Sequence, residues 1–290
     1  MFLSITTLCF AGCYGVTLAL ELSRLLFRSG VRGAVMVGFG ALGLVTHTWY
    51  LGLRAVETST APLSSAQDWY LVAAWVLAAM YLALTYYYPK SAVGLFMMPL
   101  VLALIGAAEL ADDLPLSRSG ASQFWGTIHG VTLLLGTISV LIGFVAGVMY
   151  LLQARRLKLK HPRGMHFQLP PLERLGQVNG SAITLSAVML GAGFLSGTIL
   201  NVVSRHLPWS DPVVWSTTLM FAWQSAAALF NVFYRAAREG RKVAYLTTAS
   251  FVFLVIALGA YIVGHGGTAS SPETSVGVSL LEDDRAGGRL

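Results

Sequence analysis

Apolar runs of about 20 residues, the length that crosses the hydrocarbon core of a bilayer as a helix, recur from one end of this chain to the other. By that length rule there are roughly eight. They lie near 3–23, 33–53, 68–88, 91–110, 124–153, 181–203, 213–234 and 243–264. No other feature restricts the fold as strongly. Inside lipid every backbone N–H and C=O must find its partner within the protein, and a run of this length does so as a helix. Composition agrees: 56% of the 290 residues are hydrophobic and 11% are charged, too few charges for a water-soluble domain of this size. The expected fold is all-α: a polytopic integral membrane domain over residues 1–267, followed by a disordered polar tail at 268–290. The first run is long for a signal sequence and no Lys or Arg precedes it, so it is expected to be the first transmembrane helix.

The net charge of +6 is distributed by topology. Alternate connections carry Arg24, Arg28 and Arg32; Lys90; Arg155 to Arg174; and Arg235 to Lys242. The other connections carry the acids Glu57, Asp68, Glu109, Asp112, Asp113 and Asp211, with few cations among them. The positive-inside rule assigns the first set to the cytoplasm, which puts both termini outside and predicts a multi-pass protein of the cell (inner) membrane. With the positive charge explained by topology, nucleic acid is not an expected partner; the lipid bilayer is. Cys9 and Cys13 lie four apart on one helix face, read as small packing residues without the CxxC spacing of a redox pair. QARRLKLKHPRGMHFQLPPLERL is a headgroup-anchored linker, broken at PP, with LERLGQVNG leading into the sixth helix. Gly193 and Gly197 make a GxxxG spacing, a signal for close helix packing with no chemistry of its own.

The six histidines sort by depth. His161 and His166 fall in the basic linker, and His206 in the connection between the sixth and seventh helices. His129 stands at the outer end of the fifth helix and His265 just past the eighth, so the two share one membrane level. His47, in HTWYLGLR, is the one well inside a span, where it either bonds a neighbouring helix or acts as a deeper ligand. Polar groups at membrane depth are costly and tend to be functional. Two imidazoles from opposite sides can close on one metal. Haem suits such a pair, since its iron takes two axial imidazoles and its ring is apolar. Zinc would need further ligands, such as His206 or Asp211. Trp125, four residues before His129, suits the edge of a plate and equally an interfacial belt.

Several stretches carry a resemblance. IHGVTLLLGTISVLIGFVAGVMYLLQARRLKLK, then LPPLERLGQVNGSAITLSAVMLGAGFLSGTI, then EGRKVAYLTTASFVFLVIALGAYIVGHGG follow one another in the order and spacing of the cytochrome c assembly (CcsA/HemX-like) family, and TAPLSSAQDWYLVAAWVLAAMYLAL is similar to that family's earlier segment. The sequence resembles these haem-handling membrane proteins over most of its length after the first helix. The resemblance implies that the two outer histidines, matched here by His129 and His265, ligate haem iron during delivery to apocytochrome c. It also implies a ResB-type membrane partner in a cytochrome c haem lyase or synthase complex. Trp125 and Trp209 are then the candidate plate contacts, and Arg118 and Arg205 the candidate propionate partners.

Two departures separate this chain from the family pattern. The tryptophan-rich outer loop is reduced to NVVSRHLPWSDPVVW, with Trp209, Asp211, Pro212 and Trp215, and the family's intramembrane histidine falls near Asn231. With asparagine there, an inner site would have to use His47 or a partner protein, and the reduced tryptophan motif places the chain closer to the HemX-like branch. Its alternative role is a membrane regulatory or scaffold protein without haem delivery. A b-type electron carrier is a further reading, but only His47 lies deep enough to serve it.

Overall fold

The computed structural model describes residues 2–24, 31–57, 65–89, 91–111, 121–158, 169–204, 208–233 and 241–265. These residues form eight α-helices: α1 (Phe2–Ser23), α2 (Arg32–Glu57), α3 (Ala66–Tyr87), α4 (Gly94–Glu109), α5 (Ala121–Lys158), α6 (Leu172–Ser204), α7 (Pro212–Phe233) and α8 (Arg241–His265). Six of them, α2, α3 and α5 to α8, are long and apolar enough to cross a membrane, while α4 is a shorter apolar helix and the Thr7–Ser23 part of α1 is likewise apolar. The protein is therefore an all-helical, multi-pass membrane protein. Among the described residues the basic side chains other than Arg54 gather at one end of the helices, the basic end, and Asp68, Glu109 and Asp211 mark the other, acid-rich end.

Local chemistry sets the helix boundaries. Ser65 opens α3 with a capping box: its hydroxyl accepts from the Asp68 N–H at 3.2 Å, and the Asp68 carboxylate accepts from the Ser65 N–H at 3.2 Å. Asp211 caps α7 by accepting the Val213 N–H at 2.7 Å, and Pro212 occupies the first helical position, where no N–H is needed. Pro170 and Pro171 break the chain as expected, but LERLGQVNG is already helix. α6 begins at Leu172, well before the apolar run near 181. α5 has 38 residues, a rise of about 57 Å, and carries Arg155, Arg156 and Lys158 in its last turn, where cations complement the helix dipole.

Consecutive helices run antiparallel and form two groups. α1 to α4 pack on one another, α5 to α8 do likewise, and α3 and α4 touch α5 between them. The first group is tied at both ends by charge. At the acid-rich end Arg54 donates to the Asp68 carboxylate, and both residues are buried. At the basic end Arg24 donates to Glu21 at 3.2 Å and to the carbonyls of Ser91 and Pro89 at 3.1 and 3.0 Å, which pins the α3–α4 connection. The second group is joined by close backbone approach. Lipid tails are as apolar as leucine, so helix association there depends on packing of small residues rather than on a hydrophobic drive. Gly136 sits against Leu190, and Gly143 between Ala182 of α6 and Thr247 of α8.

Candidate functional site

His129 lies in the third turn of α5, on its α6 side. Its Nδ1 is 2.7 Å from the carbonyl oxygen of Gly193. A carbonyl only accepts, so the proton of the neutral ring is on Nδ1 and the lone pair on Nε2. The ring rests on Gly197: a Cβ there would stand 2.6 Å from Cε1 and 2.7 Å from Nδ1. A Cβ on Gly193 would in turn stand 2.7 Å from Leu133. The GxxxG of α6 does bring two helices together, as its spacing predicts. It also houses the imidazole, which the spacing does not reveal.

α8 runs antiparallel to α5. Phe144 stacks on Phe251 with centroids 4.0 Å apart, and Gly147 backs onto Thr247 and Ala244. As many residues separate Gly147 from His129 as separate Thr247 from His265, a rise of about 27 Å along either helix. The level of His129 on α5 thus corresponds to the last residue of α8. His129 also shares a helix face with Gly136, Gly143 and Gly147, the face that meets α6 and α8 lower down. His265 closes α8, and its side chain lies outside the described residues, as do Arg118, Arg205, His206, His161 and His166.

The remaining expected contacts divide. Trp125 is half-buried one turn before His129, edge-on to Phe124 with centroids 5.6 Å apart. Trp209 is 60% exposed and Trp215 67% exposed, at the α6–α7 connection and the start of α7. Asp211 beside them is engaged in capping α7, which gives the WSDP remnant a folding role. Among the described residues no group of three or more His, Cys, Asp or Glu side chains could hold a metal ion.

His47 is not brought to His129. It belongs to the first group, where α2 packs on α1 and α3. The ring is fully buried and lies flat on Phe10, centroids 4.1 Å apart and planes 2° apart. Its Nδ1 is 3.3 Å from the Tyr14 hydroxyl, and its Nε2 has no hydrogen-bond partner among the described residues. The Nε2 that would meet an iron is itself buried, so a porphyrin there would need the packing around it to open.

Over residues 35–266, from early in α2 to just past His265, the chain matches the family described as Cytochrome C assembly protein. The chain belongs to that family. Among its relatives are "Cytochrome c biogenesis protein CcsA" of Guillardia theta, 23% identical over 81% of this chain and 86% of the relative, and an "Uncharacterized 28.8 kDa protein in nifR3-like 5'region" of Azospirillum brasilense, 28% identical over 78% of this chain and 81% of the relative. No solved structure matches the chain. The matched span holds His47, His129 and His265. It leaves out α1, and with it the Phe10 and Tyr14 that enclose His47.

Within this cytochrome c assembly protein three features escaped the sequence. Gly193 and Gly197 carry His129, as described. Trp69, from the first turn of α3, lies over Gly130 so closely that a Cβ there would enter the indole. It brings a second tryptophan, half-buried, beside the helix turn of His129. Asn231, near which the resemblance expects the family's intramembrane histidine, donates to the Gly180 carbonyl at 3.3 Å and Thr184 at 3.5 Å, tying α7 to α6. The first two could be found only from the α5/α6 and α3/α5 registers, which are set in three dimensions.

Proposed function

We propose that this chain is a haem-handling subunit of c-type cytochrome biogenesis, holding haem between His129 and His265 at the acid-rich end, which faces away from the cytoplasm. What carries the reading is the α5/α8 register: inside the family-matched span, the level of His129 corresponds to the end of α8, where His265 stands. The donor chemistry fits, because an imidazole whose Nδ1–H is given to a carbonyl offers Nε2 to iron. Haem, when bound, supplies the vinyl groups to which the thiols of an apocytochrome add. The protein contributes position: His129 and His265 would hold the iron, Trp125 and Trp209 are the candidate contacts of the ring, and Arg118 and Arg205 are the candidate partners of its carboxylates. A ResB-type membrane subunit and an apocytochrome c are the proposed partners, in the cell (inner) membrane, with eight crossings and both termini outside.

The test is the absorbance spectrum of detergent-purified protein, oxidised and reduced. The expected result is a six-coordinate, low-spin bis-imidazole signature that His129→Ala and His265→Ala each abolish. A signature that survives both substitutions rejects the pairing.

Asn231 favours a second reading, a HemX-like scaffold that delivers no haem. Its amide serves helix packing where the family pattern has an imidazole. On that reading the purified protein is colourless, and its deletion leaves haem-staining c-type cytochromes intact.

A further inference from the structure

We infer that α6 sets both the aim and the donor strength of the His129 imidazole, through Gly197, Gly193 and Ser196. The inference rests on the haem-holding reading and deepens it. Gly197 sets the aim, because a Cβ 2.6 Å from Cε1 is nearer than real contacts allow. The ring lies on bare backbone, and a side chain at this position displaces it. Gly193 sets the tautomer through its carbonyl, 2.7 Å from Nδ1.

Ser196 sets the strength. Its one O–H is shared between the Ala192 carbonyl at 2.8 Å and the Gly193 carbonyl at 3.0 Å, and the residue is 2% exposed. Serines in membrane helices often bond back to their own turn. Here the bond falls on the carbonyl that holds the imidazole. The Gly193 carbonyl also serves the helix's own bond from four residues on, and each further donor on it lessens how strongly it polarises Nδ1–H. Nε2 is then a weaker donor to oxidised iron, and the oxidised state is stabilised less. Ser196 and Gly197 are positioning residues; neither is assigned a contact with the ligand.

Two measurements test this. In haem-free protein with labelled histidine, nitrogen NMR should show His129, assigned by its loss in His129→Ala, as the Nδ1–H tautomer. Gly197→Ala should convert it to a mixture. In haem-loaded protein, Ser196→Ala should shift the midpoint potential downward, Ser196→Thr should restore it, and Ser186→Ala, a buried serine lower on α6, should leave it unchanged. Gly197→Ala should lose the low-spin signature. A wild type without haem, or with a signature indifferent to His129→Ala, rejects the parent reading, and the NMR still decides the role of α6. An Nε2–H tautomer in the haem-free wild type overturns the α6 inference by itself. So does a His129-dependent haem whose potential ignores Ser196→Ala.

Discussion

In the α1–α4 group an imidazole is walled in. His47 has Phe10 flat against one face, Tyr14 at its Nδ1 and no solvent-accessible surface. In the α5–α8 group an imidazole is half-buried on a shelf of glycine backbone, its lone-pair nitrogen determined by a carbonyl. The first group closes both ends with buried or partly buried charge pairs, and the second is held by small residues and neutral hydrogen bonds. The same side chain is thus a packing element in one half and a candidate ligand in the other. Depth separates them, His47 within its span and His129 near the acid-rich end of α5, but depth alone does not assign the roles. What distinguishes them is the neighbouring residue type: an aromatic ring lies against His47, and glycine backbone lies against His129.

The largest effect that could break this contrast is expected at the acid-rich end of the first group. Arg54→Ala leaves Asp68 buried without its cation, and breaking a buried pair from one side costs about 3–5 kcal/mol. Thermal unfolding in detergent should show a drop of that order. Lys158→Ala, at the exposed end of α5, should stay within about 0.5 kcal/mol of wild type. Equal melting of the two variants would mean that the first group is not charge-tied.

Phenylalanine placed at each histidine sharpens the comparison. At position 129 the larger ring meets the Gly197 backbone, and overpacking costs about 1–3 kcal/mol. At position 47 the slot is already aromatic, and the change removes the unsatisfied Nε2. It leaves the Tyr14 hydroxyl alone, so Tyr14→Phe or His47→Phe singly should cost about 1–3 kcal/mol, whereas the double variant should return close to wild type. Haem absorbance should follow His129→Phe and ignore the changes at 14 and 47. Loss of colour in His47→Phe would reverse the roles assigned to the two halves.

Much of this was legible in the residues, for a physical reason. Lipid demands helices of fixed length, so the apolar runs located the helices, and the charges at their ends sorted Arg54 with Asp68 and Arg24 with the opposite face. His129 and His265 could be matched in height by counting along helices. The start of α6 was misplaced because Glu173, Arg174 and Asn179 interrupt apolarity without interrupting helix. Gly197 was read as packing because its second role depends on which residue of α5 stands opposite. That register is set by the sum of contacts along two long helices, including Leu190 on Gly136 and Ala182 on Gly143. Trp69 on Gly130 is illegible for the same reason.

The smallest expected effect asks whether neutral hydrogen bonds hold the second group. Gln224 of α7 donates to Ser186 of α6 and, at 3.4 Å, to the Ile183 carbonyl, with the amide side chain buried and its Oε1 unsatisfied. A carboxamide at this depth resembles strong glue, but the membrane-embedded unfolded state also finds partners for it. Measured couplings of this kind average about 0.6 kcal/mol and reach about 1.7. A cycle of Gln224→Leu, Ser186→Ala and the double variant, followed by thermal unfolding in detergent, should therefore give a coupling below about 2 kcal/mol. That is less than the loss expected at Arg54. A coupling equal to the Arg54 loss would make α6 and α7 as rigidly tied as α2 and α3. The contrast would then lie not in how firmly each half is joined but only in what surrounds its histidine.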